Sequence, residues 1–212
     1  MEQGLAAESD ASPESIAAYY DEWAGSDRYE DDVLGWGYEA PVKIAAMVAE
    51  HCEHAPGPVL DAGCGVGLVG SELHKLGVGP VFGGDFSAES VKAASARGVY
   101  ADVGELDLNA VPFELPDDRF TAIVSVGVFS YVKDTAATLA ELVRITQPGG
   151  IVIFTQRTDL WDVRDCDAIL AELAASGRCT VHTSEPLPYL PGHPEFAADI
   201  NIIYTTLTKT AS

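Results

Sequence analysis

A doubly wound α/β fold, with helices on both faces of a mostly parallel sheet, is predicted by three features of this chain. Short apolar runs alternate with helix-compatible segments from about residue 58 onward. A glycine-rich turn, Ala62-Gly63-Cys64-Gly65-Val66-Gly67, follows the first of those runs directly after Asp61. The run Phe120 to Val126 is almost continuously apolar, as expected of a strand covered on both faces. Strands separated by helices pair in parallel through crossovers and bind ligands beyond their carboxyl ends.

The elements follow in order. The first dozen residues read as a frayed tail. Ser12-Pro13-Glu14 then supplies a cap, a first-turn proline and an acid. The helix they open carries Ile16, Tyr19, Tyr20 and Trp23 and stops at Gly25. Residues 26 to 38 hold Tyr29, Trp36 and Tyr38, too aromatic for an ordinary linker, and Pro41 opens a helix through about Glu53. Strand one is Pro58 to Asp61, followed by a helix over Leu68 to Leu76 with a Gly77 stop. Strand two is Val81 to Asp85, and Ser87 caps a helix through Val91 to Arg97. Strand three is expected near Val103 to Leu108 and strand four at Phe120 to Val126. A helix near Ala136 to Ile145 ends at Gln147-Pro148-Gly149-Gly150, and strand five is Ile151 to Thr155. A helix near Asp165 to Ala175 stops at Ser176-Gly177. Closing strands at about Cys179 to Glu185 and Asp199 to Thr208 are joined by a loop alone, so they can pair antiparallel. The expected sheet has seven strands, Rossmann-like, with the last antiparallel.

Composition narrows the chemistry. The 212 residues are 47% hydrophobic, enough for a full core. The acidic start and the lack of a long apolar run predict a cytoplasmic chain with no membrane span. The four cysteines form no Cys-x-x-Cys pair and read as reduced thiols. His51, Cys52 and His54 fit no common zinc spacing, so no metal is expected. A formal charge of −21, with five scattered lysines, argues against a nucleic-acid partner, because such binding needs basic stripes that meet phosphates. Solubility or salt adaptation accounts for the charge; attraction of a cationic substrate is a weaker reading.

Alternating glycines at 63, 65 and 67 let backbone amides approach a polar ligand, and the next helix points its unpaired N–H groups at it. Two cofactors compete for such a turn. Gly65, Gly67 and Gly70 satisfy the dinucleotide pattern Gly-x-Gly-x-x-Gly, with Asp85 at the ribose-binding offset. Asp61 to Gly67 instead resembles motif I of class I S-adenosylmethionine-dependent methyltransferases, in which an acid stands two residues before the first glycine. Asp85-Phe86-Ser87, Asp107-Leu108 with Pro112-Phe113, and Leu142 to Gly150 resemble the same class. Tyr20-Asp21-Glu22-Trp23-Ala24, Trp36-Gly37-Tyr38-Glu39-Ala40-Pro41 and Tyr189-Leu190-Pro191-Gly192 are similar to the small methyltransferase-like proteins named after the Williams–Beuren syndrome region. The similarity spans about residues 15 to 208.

That resemblance implies a division into an N-terminal tail and aromatic helical lid over 1–40, and an S-adenosylmethionine-binding domain over 41–212. It implies S-adenosyl-L-methionine as cofactor, S-adenosyl-L-homocysteine as product, and a small-molecule methyl acceptor. The assembly would be a monomer or homodimer. Asp61, Ala62, Gly63, Gly65 and Gly67 would form the cofactor loop. Asp85 would accept the ribose hydroxyls, with Phe86 and Ser87 beside it, and Asp107-Leu108 would meet the adenine, Asp102 being the rival acid. Ser125, Val126 and Gly127 would approach the methionine portion. Tyr20, Trp23 and Tyr29 would close over the cofactor, or else pack as a simple cluster. Trp36, Tyr38, Phe129, Tyr131, Arg157, Trp161 and Tyr189 are the expected acceptor contacts, and Tyr20, Tyr131 and His193 the candidate catalytic groups. Two other functions stay open: a nicotinamide-dependent oxidoreductase, although no Tyr-x-x-x-Lys pair is present, and a cofactor-binding regulatory protein without turnover.

Overall fold

Apolar alternation along the central strands builds a sheet covered on both sides. A computed structural model describes residues 28–194 and 199–211. The helices are α1 (Arg28–Gly35), α2 (Ala40–His54), α3 (Leu68–Lys75), α4 (Ala88–Ala96), α5 (Thr135–Ile145), α6 (Thr158–Trp161) and α7 (Cys166–Ala175). The strands are β1 (Val59–Ala62), β2 (Val81–Asp85), β3 (Asp102–Glu105), β4 (Phe120–Ser125), β5 (Thr146–Arg157), β6 (Cys179–Thr183), β7 (Leu187–Pro188) and β8 (Asn201–Lys209). The helix expected from Pro13 to Gly25 lies outside the described residues.

The sheet order is β3-β2-β1-β4-β5-β8-β6. Neighbours from β3 to β5 run parallel, and β8 lies antiparallel between β5 and β6. The expected Rossmann-like sheet with an antiparallel closing strand is therefore the observed one, with β7 as a two-residue addition beside the start of β8. The chain order reverses outward from β1 and β4, so a crevice opens at their carboxyl ends.

Side-chain parity assigns the two faces. Leu60, Ile123, Val152 and Phe154 pack under α5 and α7 with Leu139, Leu142, Leu170 and Leu173. Val59, Val124 and Ile153 pack under α2 and α3 with Ile44, Val48, Val69 and Leu73. Val33 and Tyr38 belong to this second cluster, which joins the segment before α2 to the sheet.

Two boundaries differ from expectation. Strand three ends at Glu105 because Asp107 accepts the Asn109 N–H at 2.8 Å, a side-chain turn that diverts the backbone from the ladder. The Gln147-Pro148-Gly149-Gly150 stretch, read as a helix stop, is the start of β5; its register against β4 shifts between Phe120 and Ala122 to absorb it.

Candidate functional site

The crevice at the sheet's carboxyl edge is a cleft built from the exits of four strands, closed by two further segments. Gly63, Cys64, Gly65 and Val66 line it from the turn after β1. Asp85, Phe86, Ser87 and Ser90 come from the tip of β2 and the start of α4, and Leu106, Asp107, Leu108 and Asn109 follow β3. Val126, Gly127, Val128, Tyr131 and Val132 enter after β4, while Val33, Tyr38, Tyr189 and Leu190 close the far side.

The glycine turn is held from β2. Gly84 carbonyl oxygen accepts the N–H groups of Gly63 (2.7 Å) and Cys64 (3.0 Å). Asp85 Oδ2 accepts from Gly65 N at 2.8 Å and its Oδ1 from Ser87 N at 3.0 Å. Ser87 Oγ in turn caps α4 through Ser90 N at 3.1 Å, as its sequence position predicts. A Cβ on Gly63 would fall 2.4 Å from Val128 Cγ2, whereas one on Gly65 would meet nothing within 4 Å. Both residues have positive φ, at +78° and +51°. The open space over Gly65 belongs to the cleft.

Asp61 is elsewhere. It shares strand parity with Val59, so its side chain turns beneath the loop toward α3, where it is fully buried and not part of the cleft wall. Its Oδ2 accepts from the Tyr100 hydroxyl at 2.7 Å, and its Oδ1 has no hydrogen-bond partner among the described residues. Burial pushes the carboxyl up to about 7; the Tyr100 bond pulls it down and the nearby Asp85 charge raises it again. Burial, with the charges of Asp61 and Asp85, also raises the Cys64 thiol, which stays protonated and weakly nucleophilic.

The remaining expected residues divide between the cleft and its supports. Phe86, Asp107, Leu108, Val126, Gly127, Tyr38, Tyr131 and Tyr189 meet in the cleft. Tyr38 and Tyr189 touch edge to face at 5.6 Å. Ala62 and Ser125 are fully buried within the sheet, and Gly67 sits at the α3 N-terminus with φ +90°. Phe129, expected as a cleft wall, is instead fully buried against Phe154 at 4.5 Å. The turn after Gly127, closed by Tyr131 N to Val128 O at 2.9 Å, sends Phe129 into the core and leaves Val128 and Tyr131 outside. Trp161 is likewise core, its indole N–H donating to Asp167 at 2.9 Å. Arg157 lies off the cleft wall, paired with Asp159 at 3.0 and 2.6 Å beneath the Tyr189 ring. His193 packs edge-on against Trp36 at 4.4 Å, behind the cleft rather than in it. Tyr20 and Trp23 lie outside the described residues, and Tyr29 falls in the first turn of α1. Asp102, the rival to Asp107, bonds the N–H of its own neighbour Val103 and does not reach the cleft.

Sequence reasoning missed Tyr100, Val128 and Asn109. Val128 was visible only as an ordinary apolar residue, and Tyr100 reaches Asp61 across 39 residues, a distance no local pattern encodes. The Gly70 of the dinucleotide pattern has a different explanation: a Cβ there would lie 2.1 Å from Tyr100 Cζ.

Comparison with known proteins adds the family. Residues 60–154 match the family described as a methyltransferase domain. The human methyltransferase-like protein 27 is 33% identical over 162 residues, covering 73% of this chain and 63% of the human protein. Demethylmenaquinone methyltransferase of Mycolicibacterium paratuberculosis is 34% identical over 149 residues, 69% of this chain and 61% of that one. The chain thus spans less than two thirds of either relative's length. Geranyl diphosphate C-methyltransferase of Streptomyces coelicolor shares the fold at TM-score 0.66 and 15% identity, over 93% of this chain and 98% of its own. Strand order and these matches agree: the chain is similar in sequence over residues 60–154 to the methyltransferase domain family and shares its fold with a solved methyltransferase.

Proposed function

We propose that this chain moves the methyl group of S-adenosylmethionine to a small-molecule nucleophile by in-line displacement. The observation that carries this reading is one continuous cleft with two unlike ends. Around Asp85, Phe86, Asp107 and Leu108 it is polar and apolar by turns, as a nucleoside requires; around Tyr38, Tyr131 and Tyr189 it is aromatic. The residues suit the cofactor. A carboxylate offers about four lone-pair sites, so Asp85 can accept ribose hydroxyls beside its two backbone bonds. Phe86, 45% exposed, can offer its ring to an adenine face, and Leu106 and Leu108 add apolar surface to the same lining. Asp107 can accept from the adenine amino group. The space over Gly65 admits the chain between ribose and methionine.

When bound, S-adenosylmethionine supplies a methyl group already activated by its sulfonium. The protein's part is alignment and exclusion of water. Positioning two reactants can supply roughly 7–11 kcal/mol of a barrier. Tyr38, beside Gly127, and Tyr131 stand where they can border both reactants, and their ring faces attract a sulfonium. Arg157 lowers the Tyr189 phenol while burial raises it more, so that hydroxyl remains a proton donor at neutral pH.

The described lining holds two carboxylates and no Lys, Arg or His, which disfavours a phosphorylated acceptor and favours a neutral, partly aromatic one. The relatives named for ubiquinone biosynthesis and demethylmenaquinone methylation make a hydroxylated ring the first class to test. The experiment is a methylation screen over phenols, quinols, thiols, amines and carboxylates, read by mass spectrometry, with calorimetry against S-adenosylhomocysteine and NADH. A one-methyl mass gain in one class supports the reading. Homocysteine-analogue binding without any product points to a regulatory binder, and tight NADH binding alone to an oxidoreductase.

A further inference from the structure

Three glycines from three different elements make room for one aromatic ring that does not touch the cleft. Gly67 ends the cofactor loop, Gly70 lies in α3 and Gly83 in β2. A Cβ at these positions would lie 3.2, 2.1 and 3.2 Å from atoms of the Tyr100 ring. From this seat the Tyr100 hydroxyl donates to Asp61 Oδ2 at 2.7 Å. Asp61, next to last in the strand from which the loop departs, is fully buried, and its Oδ1 has no hydrogen-bond partner among the described residues. The groups facing it are the Tyr100 hydroxyl, the Asp85 carboxylate, the Cys64 thiol and the Gly70 amide of α3. Among the described residues, none of these groups carries a positive charge. Arg97 donates elsewhere, to Glu30 at 2.5 Å and to the Val66 carbonyl of the loop.

Among the described residues this buried carboxylate has one side-chain donor, the Tyr100 hydroxyl, beside the Gly70 amide and no cation, so losing that hydroxyl leaves it poorly compensated. We propose that Tyr100 is a positioning residue for cofactor binding: through Asp61 and the glycines around its ring, it keeps the loop in a cofactor-ready shape. The inference rests on the methyl-donor reading of the cleft. Tyr100 touches no reactant; it acts on the strand end and loop that do.

The test separates the ring from the hydroxyl. Tyr100→Phe, Asp61→Asn and the double variant are titrated with S-adenosylhomocysteine from pH 6 to 8.5, at a temperature where melting curves show each fully folded. Tyr100→Phe keeps the ring and is expected to bind on the order of tenfold more weakly, through loss of a charge-assisted bond. The double variant should be no weaker than the weaker single one, since both changes remove the same link. Wild-type affinity should rise with pH as Asp61 ionises and its bond from the Tyr100 hydroxyl, which holds the strand end under the loop, becomes charge-assisted. That rise should vanish in Tyr100→Phe, which lacks the donor, and in Asp61→Asn, which does not ionise. A ring that only fills space would lower the melting temperature and leave affinity and pH profile unchanged. Wild-type affinity and profile in Tyr100→Phe, or additive effects in the double variant, overturn the positioning role alone. Failure of the wild-type chain to bind S-adenosylhomocysteine overturns the methyl-donor reading and this inference together.

Discussion

Asp85 Oδ2 accepts the Gly65 backbone N–H at 2.8 Å, so the acid at the tip of β2 ties down the loop glycine that opens onto the cleft. One carboxylate thereby shapes the loop and faces the cleft. Asp85→Ala is expected to weaken S-adenosylhomocysteine binding by at least about 1–3 kcal/mol, through lost charge-assisted bonds. Calorimetry checks this; unchanged affinity would place the ribose elsewhere.

Gly63 and Gly65 should respond differently to alanine. At Gly63 the new methyl lies 2.4 Å from Val128 at a positive φ, which combines about 1–2 kcal/mol of backbone strain with about 1–3 of overpacking. Gly65→Ala carries only the strain, but its methyl stands in the cleft. Urea denaturation should show the larger loss for Gly63→Ala. The larger drop in cofactor affinity per unit of lost stability should belong to Gly65→Ala.

Asp61 makes folding stability depend on pH in a definite direction. Burial lifts its folded-state carboxyl to about 7, whereas an unfolded aspartate titrates near ~3.9. Between those values the folded chain holds a proton that the unfolded chain has released, so this site's contribution falls as pH rises from about 4 to 7 and then levels. The full effect is on the order of 4 kcal/mol against folding above neutrality. Melting temperatures of Asp61→Asn relative to wild type should therefore improve from pH 5 to pH 8. A constant difference would show that Asp61 is ionised throughout.

Arg144 pins the connection between β3 and β4 to α5. It reaches Glu141 at 2.7 and 2.9 Å, the Leu115 and Phe113 carbonyls at 2.9 and 3.1 Å, and Asp117 at 2.5 Å. Asp117 is 70% exposed and contributes little, while Glu141 is 16% exposed and would keep a partly buried charge. Arg144→Ala should cost about 2 kcal/mol in chemical denaturation. Any loss of cofactor affinity should be secondary, felt through Leu108 and Phe113 of the same connection.

Much of this molecule was legible as a linear pattern. Strand cores at 59–62, 81–85 and 120–125, the Ser87 cap and the glycine turn each depend on neighbours within a few residues, where period and turn chemistry operate. The placement of Asp85 at the strand tip was readable for the same reason. Phe129 and Trp161 were not, because an aromatic beside a ligand loop and an aromatic in a core look alike in one dimension. Only the turn after Gly127 and the packing of α7 separate them.

By itself, then, the sequence determined the alternating α/β order, the loop that opens the cleft and the acid that faces it. Tertiary structure decided which conspicuous residues see a ligand. Strand parity turned Asp61 beneath the loop, and Tyr100, 39 residues away, became its partner by filling space left by Gly67, Gly70 and Gly83. Local patterns encode what one backbone segment prefers, whereas a buried pair exists only once separate segments have closed around it.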